Sequence, residues 1–282
     1  MSIVACLKWL ARPDAPDDER FAGVSPADRA ALEVALTLGE QRGESVVVIT
    51  AGPAGAERAL RTAVACGAAR VVRIDLPVDA ESREVADALA DEIERLDSNG
   101  ASVVLCGDYS LDRGTGSVPA YLAHRLGAAQ ALGLVAVEPA VEPAVEPAAE
   151  TARPPAGAIR ATRRLDGGRR EVLDVPMPCV LSVEGSVATL RRAGLRQMLE
   201  SQATTVHVVA ATSGRHATAA VVTPYRPRAR ALAAPAGDQA LDRLRALTDA
   251  GGTSTRGETV VLAPSDAAAR IVQALRNWGY LA

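Results

Sequence analysis

The stretch from 106 to 127 is the strongest candidate for a ligand-binding segment in this sequence. Its GTGS run at 114–117 follows a β-branched segment and leads into a helical pattern. Backbone N–H groups at a helix N-terminus, together with the hydroxyl groups of this run and of Ser110, can hold a phosphate. The stretch therefore predicts an anion site, and a simple capped turn is the structural alternative.

Motifs for other kinds of chemistry are absent from the sequence. It contains no GxxxxGK[ST] phosphate loop, no GxGxxG after the first strand, and neither HExxH nor GxSxG. The histidines stand apart from any Cys, Asp or His at ligand spacing: His124, His207 and His216. The cysteines are scattered singly, without a CxxC pair: Cys6, Cys66, Cys106 and Cys179. We therefore expect buried, reduced thiols, no metal site, and no catalytic acid, base or nucleophile.

The elements that must position the glycine loop alternate in the first half of the chain. Short β-branched runs predict buried parallel strands at 3–8, 45–51, 70–75 and 102–108. Amphipathic patterns predict helices at 25–40, after Gly52-Pro53 up to Gly67, at 79–96 and at 115–125. This alternation predicts an α/β domain with a parallel sheet. The glycine loop begins at the carboxyl end of the fourth strand, where open sheets bind ligands.

The remainder of the chain is less regular. A VEPA repeat places proline at every fourth position, which excludes a helix interior and predicts an extended insert at 137–157. Beyond it, we predict a hairpin around the DGG at 166–168, a polar connection, and a strand in TVHVVAA. The last segments are predicted as a loose arm with a short helix at 238–246, then a strand in ETVVLA and a helix from Pro264. We divide the chain into an α/β domain, 1–202, and a C-terminal region, 203–282.

Composition limits the kinds of partner. The 282 residues carry a formal net charge of −3, with 48% hydrophobic, 23% charged and 2% aromatic residues. The absence of a basic surplus argues against nucleic acid as a partner, and the few aromatic residues argue against base-stacking sites. No uncharged apolar stretch is long enough for a transmembrane helix, and the N-terminus lacks a signal-peptide pattern. We therefore expect a cytoplasmic protein without a transmembrane segment.

Four ordered segments resemble one family. GDYSLDRGTGSVPAYLAHRLG, at 107–127, resembles the signature loop of the β subunit of electron transfer flavoproteins, usually close to G-x-Q-S-x-D-x-D-T-G-x-V. SPADRAALEVALTLGEQRG resembles the first helix of that family, and AGPAGAERALRTAVACGAARVVRID resembles its GP-x(2)-AE stretch. LDGGRREVLDVPMPCVLSVEG resembles its DGG hairpin and the strand that follows. The likeness covers most of 1–202 and about 257–282.

The resemblance implies an adenine-nucleotide-binding α/β fold of the Rossmann-like, HUP type, with an added β-hairpin and a C-terminal arm that contacts a partner subunit. It implies an electron carrier, and not an enzyme, that forms a heterodimer with a larger α subunit carrying FAD. Flavin-dependent dehydrogenases would supply the electrons. The β subunit would hold a structural AMP, or a second FAD in electron-bifurcating members. The alternatives are a stand-alone ATP-binding protein of universal-stress type and a nucleotide-free scaffold.

The resemblance also assigns residues. The nucleotide-binding positions carried over from the family are Cys6, Ser25, Ala51, Gly107, Asp112, Thr115, Gly116 and Ser117. The phosphate would lie toward the last three. The docking leucine of the family corresponds to Leu195, with Leu190 as the alternative.

Departures from the family pattern leave open which nucleotide binds. Ser25 stands where the family commonly has Asn, Tyr109 and Ser117 each replace a Gln, and Gly114 replaces an Asp. The docking region has neither the NEPRY stretch nor the run of lysines. The Ala- and Arg-rich composition and the VEPA insert indicate a divergent, actinobacterial-type branch, which we associate with the mycofactocin redox system.

Overall fold

The computed structural model describes residues 2–11, 20, 22–96, 101–139, 157–211, 238–248 and 260–281. The strands are β1 (Ser2–Cys6), β2 (Trp9–Leu10), β3 (Gly23–Val24), β4 (Val46–Gly52), β5 (Arg70–Asp75), β6 (Ala101–Gly107), β7 (Ala129–Pro139), β8 (Ile159–Arg164), β9 (Arg170–Val175), β10 (Cys179–Val183) and β11 (His207–Ala210). The helices are α1 (Pro26–Arg42), α2 (Glu57–Cys66), α3 (Ser82–Leu96), α4 (Val118–Leu126), α5 (Leu195–Gln202), α6 (Ala240–Thr248) and α7 (Pro264–Asn277). The chain divides into two compact units, Met1–Thr218 and Ala219–Ala282, and each is described by itself.

The first unit contains a large, mostly parallel sheet with the strand order β11-β5-β4-β1-β6-β10-β7-β8-β9. Every neighbouring pair from β11 to β7 is parallel, and β8 and β9 add an antiparallel hairpin at the β7 edge. A separate pair, β2 and β3, is antiparallel. The chain starts in the middle of the sheet, moves outward through β4 and β5, and then crosses to β6 on the other side of β1. The predicted α/β class and Rossmann-like architecture are confirmed.

Successive residues of the central strands contribute to two different cores. Ile3 and Ala5 of β1 pack with the apolar face of α1, whereas Val4 and Cys6 pack with α3 and α4. Because helices cover both faces of the sheet, these strands carry continuous apolar runs with no polar alternation. Full burial of each Val, Leu or Ile side chain stabilises the folded state by about 1.5–3 kcal/mol. A core of small aliphatic residues therefore suffices in a chain with few aromatic residues.

Helix α1 begins where its sequence predicts and ends at Arg42, two residues beyond the predicted end at 40. The Ser25 hydroxyl accepts the N–H of Asp28 at 3.0 Å as an N-cap, and Pro26 occupies the first turn, where its missing N–H costs nothing. At the other end Gly43 adopts φ 64° and donates its N–H to the carbonyl of Gly39. These caps place the N-terminus of α1 beside the carboxyl ends of β1 and β6.

Two helices begin later than their sequence patterns predict. Helix α3 starts at Ser82, not at Asp79, because a turn closed by the Ala80 N–H on the Pro77 carbonyl precedes it. Helix α4 starts at Val118 and not at 115. The GTGS run therefore belongs to the loop between β6 and α4, which we call the β6–α4 loop (Asp108–Ser117), and does not form the first turn of the helix.

Other segments also differ from their sequence-based assignment. The polar connection contains α5, a helix that the sequence analysis missed. The strand predicted in TVHVVAA is present as β11 and pairs with β5 in the main sheet. The beginning of the VEPA repeat continues β7 as far as Pro139 and pairs with β8, so the insert does not start at 137. Positions 140–156 lie outside the described residues. The DGG hairpin is confirmed between β8 and β9.

The second unit is described through α6 and α7. Both helices occur close to their predicted positions, but residues 260–263, which we predicted as part of a strand, are not in a strand. Helix α7 exposes several large apolar side chains, and no residue of it is buried. Among the described helices, none is both long and apolar enough to cross a membrane.

Candidate nucleotide-binding site

A crevice lies where the strand order reverses, at the carboxyl ends of β1, β4 and β6. Connections from neighbouring strands diverge at such a point and leave room for a ligand. The crevice is lined by residues from these strand ends, from the β5–α3 connection and from the β6–α4 loop. We call it the switch-point crevice.

Five of the eight carried-over positions line the crevice: Cys6, Ala51, Gly107, Thr115 and Gly116. The other three are not among its lining residues. Ser25 is buried below as the cap of α1, Ser117 precedes α4, and Asp112 is turned toward Lys8. The structure thus brings together the strand-end positions, whereas Ser25 and Asp112 have other contacts.

The floor of the crevice contains two thiols from neighbouring strands. Cys6 and Cys106 are register partners across the β1–β6 pair, and both are buried. A hydrogen bond with Cys6, burial, and the negative charge of Asp28 raise the pKa of the Cys106 thiol well above its usual range. The Cys106 thiol therefore stays protonated, and this part of the crevice suits a flat, weakly polar group such as a nucleobase.

Asp28 is a lining residue that the sequence analysis missed. It accepts the Ser25 hydroxyl at 2.7 Å and the Gly107 N–H at 3.3 Å, and so ties the start of α1 to the end of β6. Burial raises the pKa of Asp28 from 3.8 to about 6, although these hydrogen bonds oppose the increase. The Ser-x-x-Asp spacing resembles a capping box and could have indicated a residue turned back toward the helix start.

Lys8 was also missed, and it joins β1 to the β6–α4 loop. Its ammonium donates to Ser110 Oγ at 3.0 Å and to Asp112 Oδ1 at 2.7 Å. Partial burial disfavours ionised Asp112, but the hydrogen bonds from Lys8 and Ser110 outweigh it and lower the pKa of this carboxyl group. Asp112 therefore stays ionised at neutral pH and holds Lys8 at the crevice.

The β6–α4 loop is closely packed. Ser110 donates its N–H to the Thr115 carbonyl at 3.0 Å, and Gly114 donates its N–H to the Ser110 carbonyl at 2.9 Å. Gly116 lies so close to the loop backbone that an added Cβ would be 2.0 Å from the Asp108 carbonyl oxygen. Arg113 donates to the Asp79 carbonyl at 2.5 Å and anchors the loop to the β5–α3 connection. The loop is therefore shaped before any ligand arrives.

The N-terminus of α4 offers fewer anion-binding groups than the sequence suggested. Ser117 is at the N-cap but makes no side-chain cap hydrogen bond, and proline occupies the first turn at position 119. Proline has no N–H, so one of the usual donors is missing. A phosphate here would need other donors.

The proposed docking residue lies away from the crevice. Leu195 begins α5 and is 77% exposed, and Leu199, one helical turn later, is 65% exposed. The alternative, Leu190, is only partly exposed and packs against the core. No contact here tests which leucine docks, and the assignment remains a prediction.

Arg191 holds the segment before α5 against α1. Its backbone N–H donates to Glu33 Oε2 at 2.9 Å, and its guanidinium binds both Glu33 and Glu40. These hydrogen bonds raise the pKa of Arg191, and the guanidinium lowers the pKa of Glu40. One side chain thus connects the candidate docking segment to the α/β core.

We expect Arg191→Ala to lower the free energy of unfolding by about 1–2 kcal/mol, because Glu33 loses its charged donor. Hydrogen exchange should accelerate in 189–202 more than elsewhere. Arg196→Ala is the matched control, since Arg196 pairs with Glu200 on the exposed face of α5 and should change stability by less than about 0.5 kcal/mol. Equal effects of the two substitutions, measured by urea denaturation, would contradict the role given to Arg191.

The described residues contain no group of three or more His, Cys, Asp or Glu side chains that could hold a metal ion. What they contain is an open, mostly parallel sheet with a crevice at its switch point, lined by buried thiols and by a polar loop. This arrangement defines an α/β protein with a candidate ligand site at the switch point of its sheet.

Comparison with known proteins identifies the family. The electron transfer flavoprotein domain matches residues 17–214, and the chain therefore belongs to the electron transfer flavoprotein domain family. It is 30% identical over 182 residues to protein FixA of Azorhizobium caulinodans, covering 63% of this chain and 60% of the relative. It is also 30% identical over 164 residues to the electron transfer flavoprotein subunit beta of Syntrophomonas wolfei, covering 58% of each. The matched part thus spans about three fifths of these relatives.

Proposed function

We propose that this chain is the β-type subunit of a heterodimeric electron transfer flavoprotein. The observation that carries the proposal is the switch-point crevice, which five of the eight family-derived nucleotide positions line in a chain that belongs to this family. The partner is an α-type subunit that carries FAD, and flavin-dependent dehydrogenases supply the electrons. The chain itself is an electron carrier subunit and not an enzyme.

The ligand of the crevice is AMP. The crevice floor around Cys6 and Cys106 holds the base, and the β6–α4 loop holds the phosphate. FAD, when bound between the subunits, accepts and releases the electrons. The residues of this chain shape the crevice, exclude water from its floor and hold the β6–α4 loop. A ligand that binds only the folded chain stabilises it by mass action, so AMP acts here as a folding brace.

The test is to co-express the chain with an α-type subunit, purify the complex, release its ligands by heat and identify them by chromatography. We expect one FAD and one AMP per heterodimer. Two FAD and no AMP per heterodimer would mean that a second flavin occupies the crevice, and would indicate a bifurcating complex. A stable heterodimer without AMP would instead indicate a scaffold subunit. ATP bound to the chain alone, with no complex formed, would overturn the proposal in favour of a stand-alone ATP-binding protein.

A further inference from the structure

Lys8 is the only lysine among the 31 Lys and Arg residues of the sequence. It is the second residue after the end of β1 and lines the switch-point crevice, and 34% of its side chain is exposed. Arginine serves at every other basic position, including all the basic partners in the ion pairs at the helix surfaces. Lysine differs from arginine in being a compact charge with three rotatable donors. The crevice therefore contains a cation of a kind used nowhere else in the chain.

Hydrogen bonds to the β6–α4 loop hold the Lys8 ammonium in place while the residue still lines the crevice. Ser110 Oγ and Asp112 Oδ1 accept from it at 3.0 and 2.7 Å, and both belong to the β6–α4 loop. Asp112 Oδ1 also accepts the Arg113 N–H at 2.8 Å, so the carboxylate is itself held in place. Two of the three N–H groups of the ammonium serve these oxygens, and an ammonium can donate one more hydrogen bond.

The hydrogen-bond donors at the crevice indicate what Lys8 can bind. A phosphate monoester carries a charge of about −1.5 to −2 at pH 7. Proline in the first turn of α4 removes one backbone donor, so the helix N-terminus does not supply the full complement of N–H groups. The other lining cation, Arg113, donates to the Asp79 carbonyl and lies 3.9 Å from a Glu81 carboxylate oxygen. Lys8 is itself paired with Asp112, but its ammonium keeps one N–H group that a phosphate oxygen can accept.

We propose that Lys8 Nζ binds the phosphate of the crevice ligand, while Ser110 and Asp112 position the ammonium. The inference rests on the proposed nucleotide function. It assigns to Lys8 the preference of the crevice for a nucleotide over a nucleoside. The ligand class is a phosphate monoester with an attached base, since the buried Cys6 and Cys106 side chains in the same crevice can pack against a base. Asp112, assigned by family resemblance to the nucleotide, acts on it through Lys8.

The first test compares AMP with adenosine by calorimetry on the full-length chain freed of bound nucleotide. Lys8→Met keeps an unbranched stem but removes the charge, so AMP affinity should fall about tenfold or more while adenosine affinity changes less than about twofold. Lys8→Arg should retain more AMP affinity than Lys8→Met. The matched control is Arg125→Met, which removes one positive charge from α4 outside the crevice and should change AMP affinity by less than about twofold.

The second test uses the single lysine directly. Acetylation of Lys8 by an N-hydroxysuccinimide ester removes the tryptic cleavage after position 8, and mass spectrometry follows this loss. We expect AMP and inorganic pyrophosphate to slow the acetylation and adenosine to leave its rate unchanged. This readout does not depend on electron transfer or on the partner subunit.

The outcomes separate this inference from the proposed function. If Lys8→Met binds AMP as tightly as the wild-type chain, or loses AMP and adenosine by the same factor, the role of Lys8 is overturned while nucleotide binding stands. If the wild-type chain binds neither AMP nor adenosine but pyrophosphate still protects Lys8, the nucleotide proposal fails and the phosphate site stands. If AMP binds and leaves the acetylation rate unchanged, Lys8 does not contact the phosphate.

Discussion

Gly116→Ala is expected to abolish AMP retention and to lower the free energy of unfolding by about 2 kcal/mol or more. An added Cβ would be 2.0 Å from the Asp108 carbonyl oxygen and 3.1 Å from its carbonyl carbon. These atoms are backbone, so no side-chain rotation can relieve the overlap, and the β6–α4 loop must move. Because the same loop holds Lys8 through Ser110 and Asp112, the movement disrupts the crevice as well as the packing.

Gly23→Ala provides the control for this prediction. The added Cβ would have no atom within 4 Å, and Gly23 has no positive φ, so the change in stability should stay within about 1 kcal/mol. Urea denaturation gives the stability, and chromatography of heat-released nucleotide gives the AMP content. A Gly116→Ala complex with normal AMP content would show that the loop does not enclose the phosphate.

The second large effect is a pH dependence of stability that Asp28 imposes. The pKa of Asp28 is about 6 in the folded chain, whereas its ordinary value, which applies to the unfolded chain, is 3.8. The folded state therefore binds the carboxyl proton more tightly than the unfolded state. The stabilisation that comes from this tighter binding of the Asp28 proton is fully present below pH 3.8 and is lost as the pH rises through 6. Since one pKa unit corresponds to about 1.4 kcal/mol, ionising Asp28 costs up to about 3 kcal/mol at neutral pH.

Asp28→Asn removes this titration. An amide can still accept the Gly107 N–H and can donate to the Ser25 hydroxyl, so the link between α1 and β6 is kept. We expect the wild-type chain to lose about 2 kcal/mol relative to Asp28→Asn between pH 4 and pH 7, measured by urea denaturation at several pH values.

A second substitution at the same position distinguishes charge from hydrogen bonding. Asp28→Leu also abolishes the titration, but it leaves the Ser25 hydroxyl and the Gly107 N–H without their acceptor, and should destabilise the chain by about 1–3 kcal/mol for each group. Parallel pH profiles for wild type and Asp28→Asn would mean that Asp28 titrates at its ordinary pKa and that the burial argument is wrong.

The local features of the fold were predictable from sequence. Continuous β-branched runs identified the central strands, and Ser25 and Pro26 marked the start of α1, because strand and cap signals depend on residues only a few positions apart. The β6–α4 loop was placed correctly at a strand end, but the start of α4 was placed three residues early. Hydrogen bonds between Ser110, Gly114 and Thr115 compete with the helical turn there, and no local propensity reports them.

The alternation of strands and helices, and the position of the glycine loop beside the switch point, follow from local sequence patterns. Folding is what brings Lys8 to Asp112 and Asp28 to Gly107, across separations of 104 and 79 positions. Contacts of this kind depend on how β1, β6 and α1 are placed next to one another. Burial, which shifts the pKa of Asp28, exists only once that packing has formed. Periodicity and capping therefore identify the elements, while the charges of the crevice are set by the packing of distant segments.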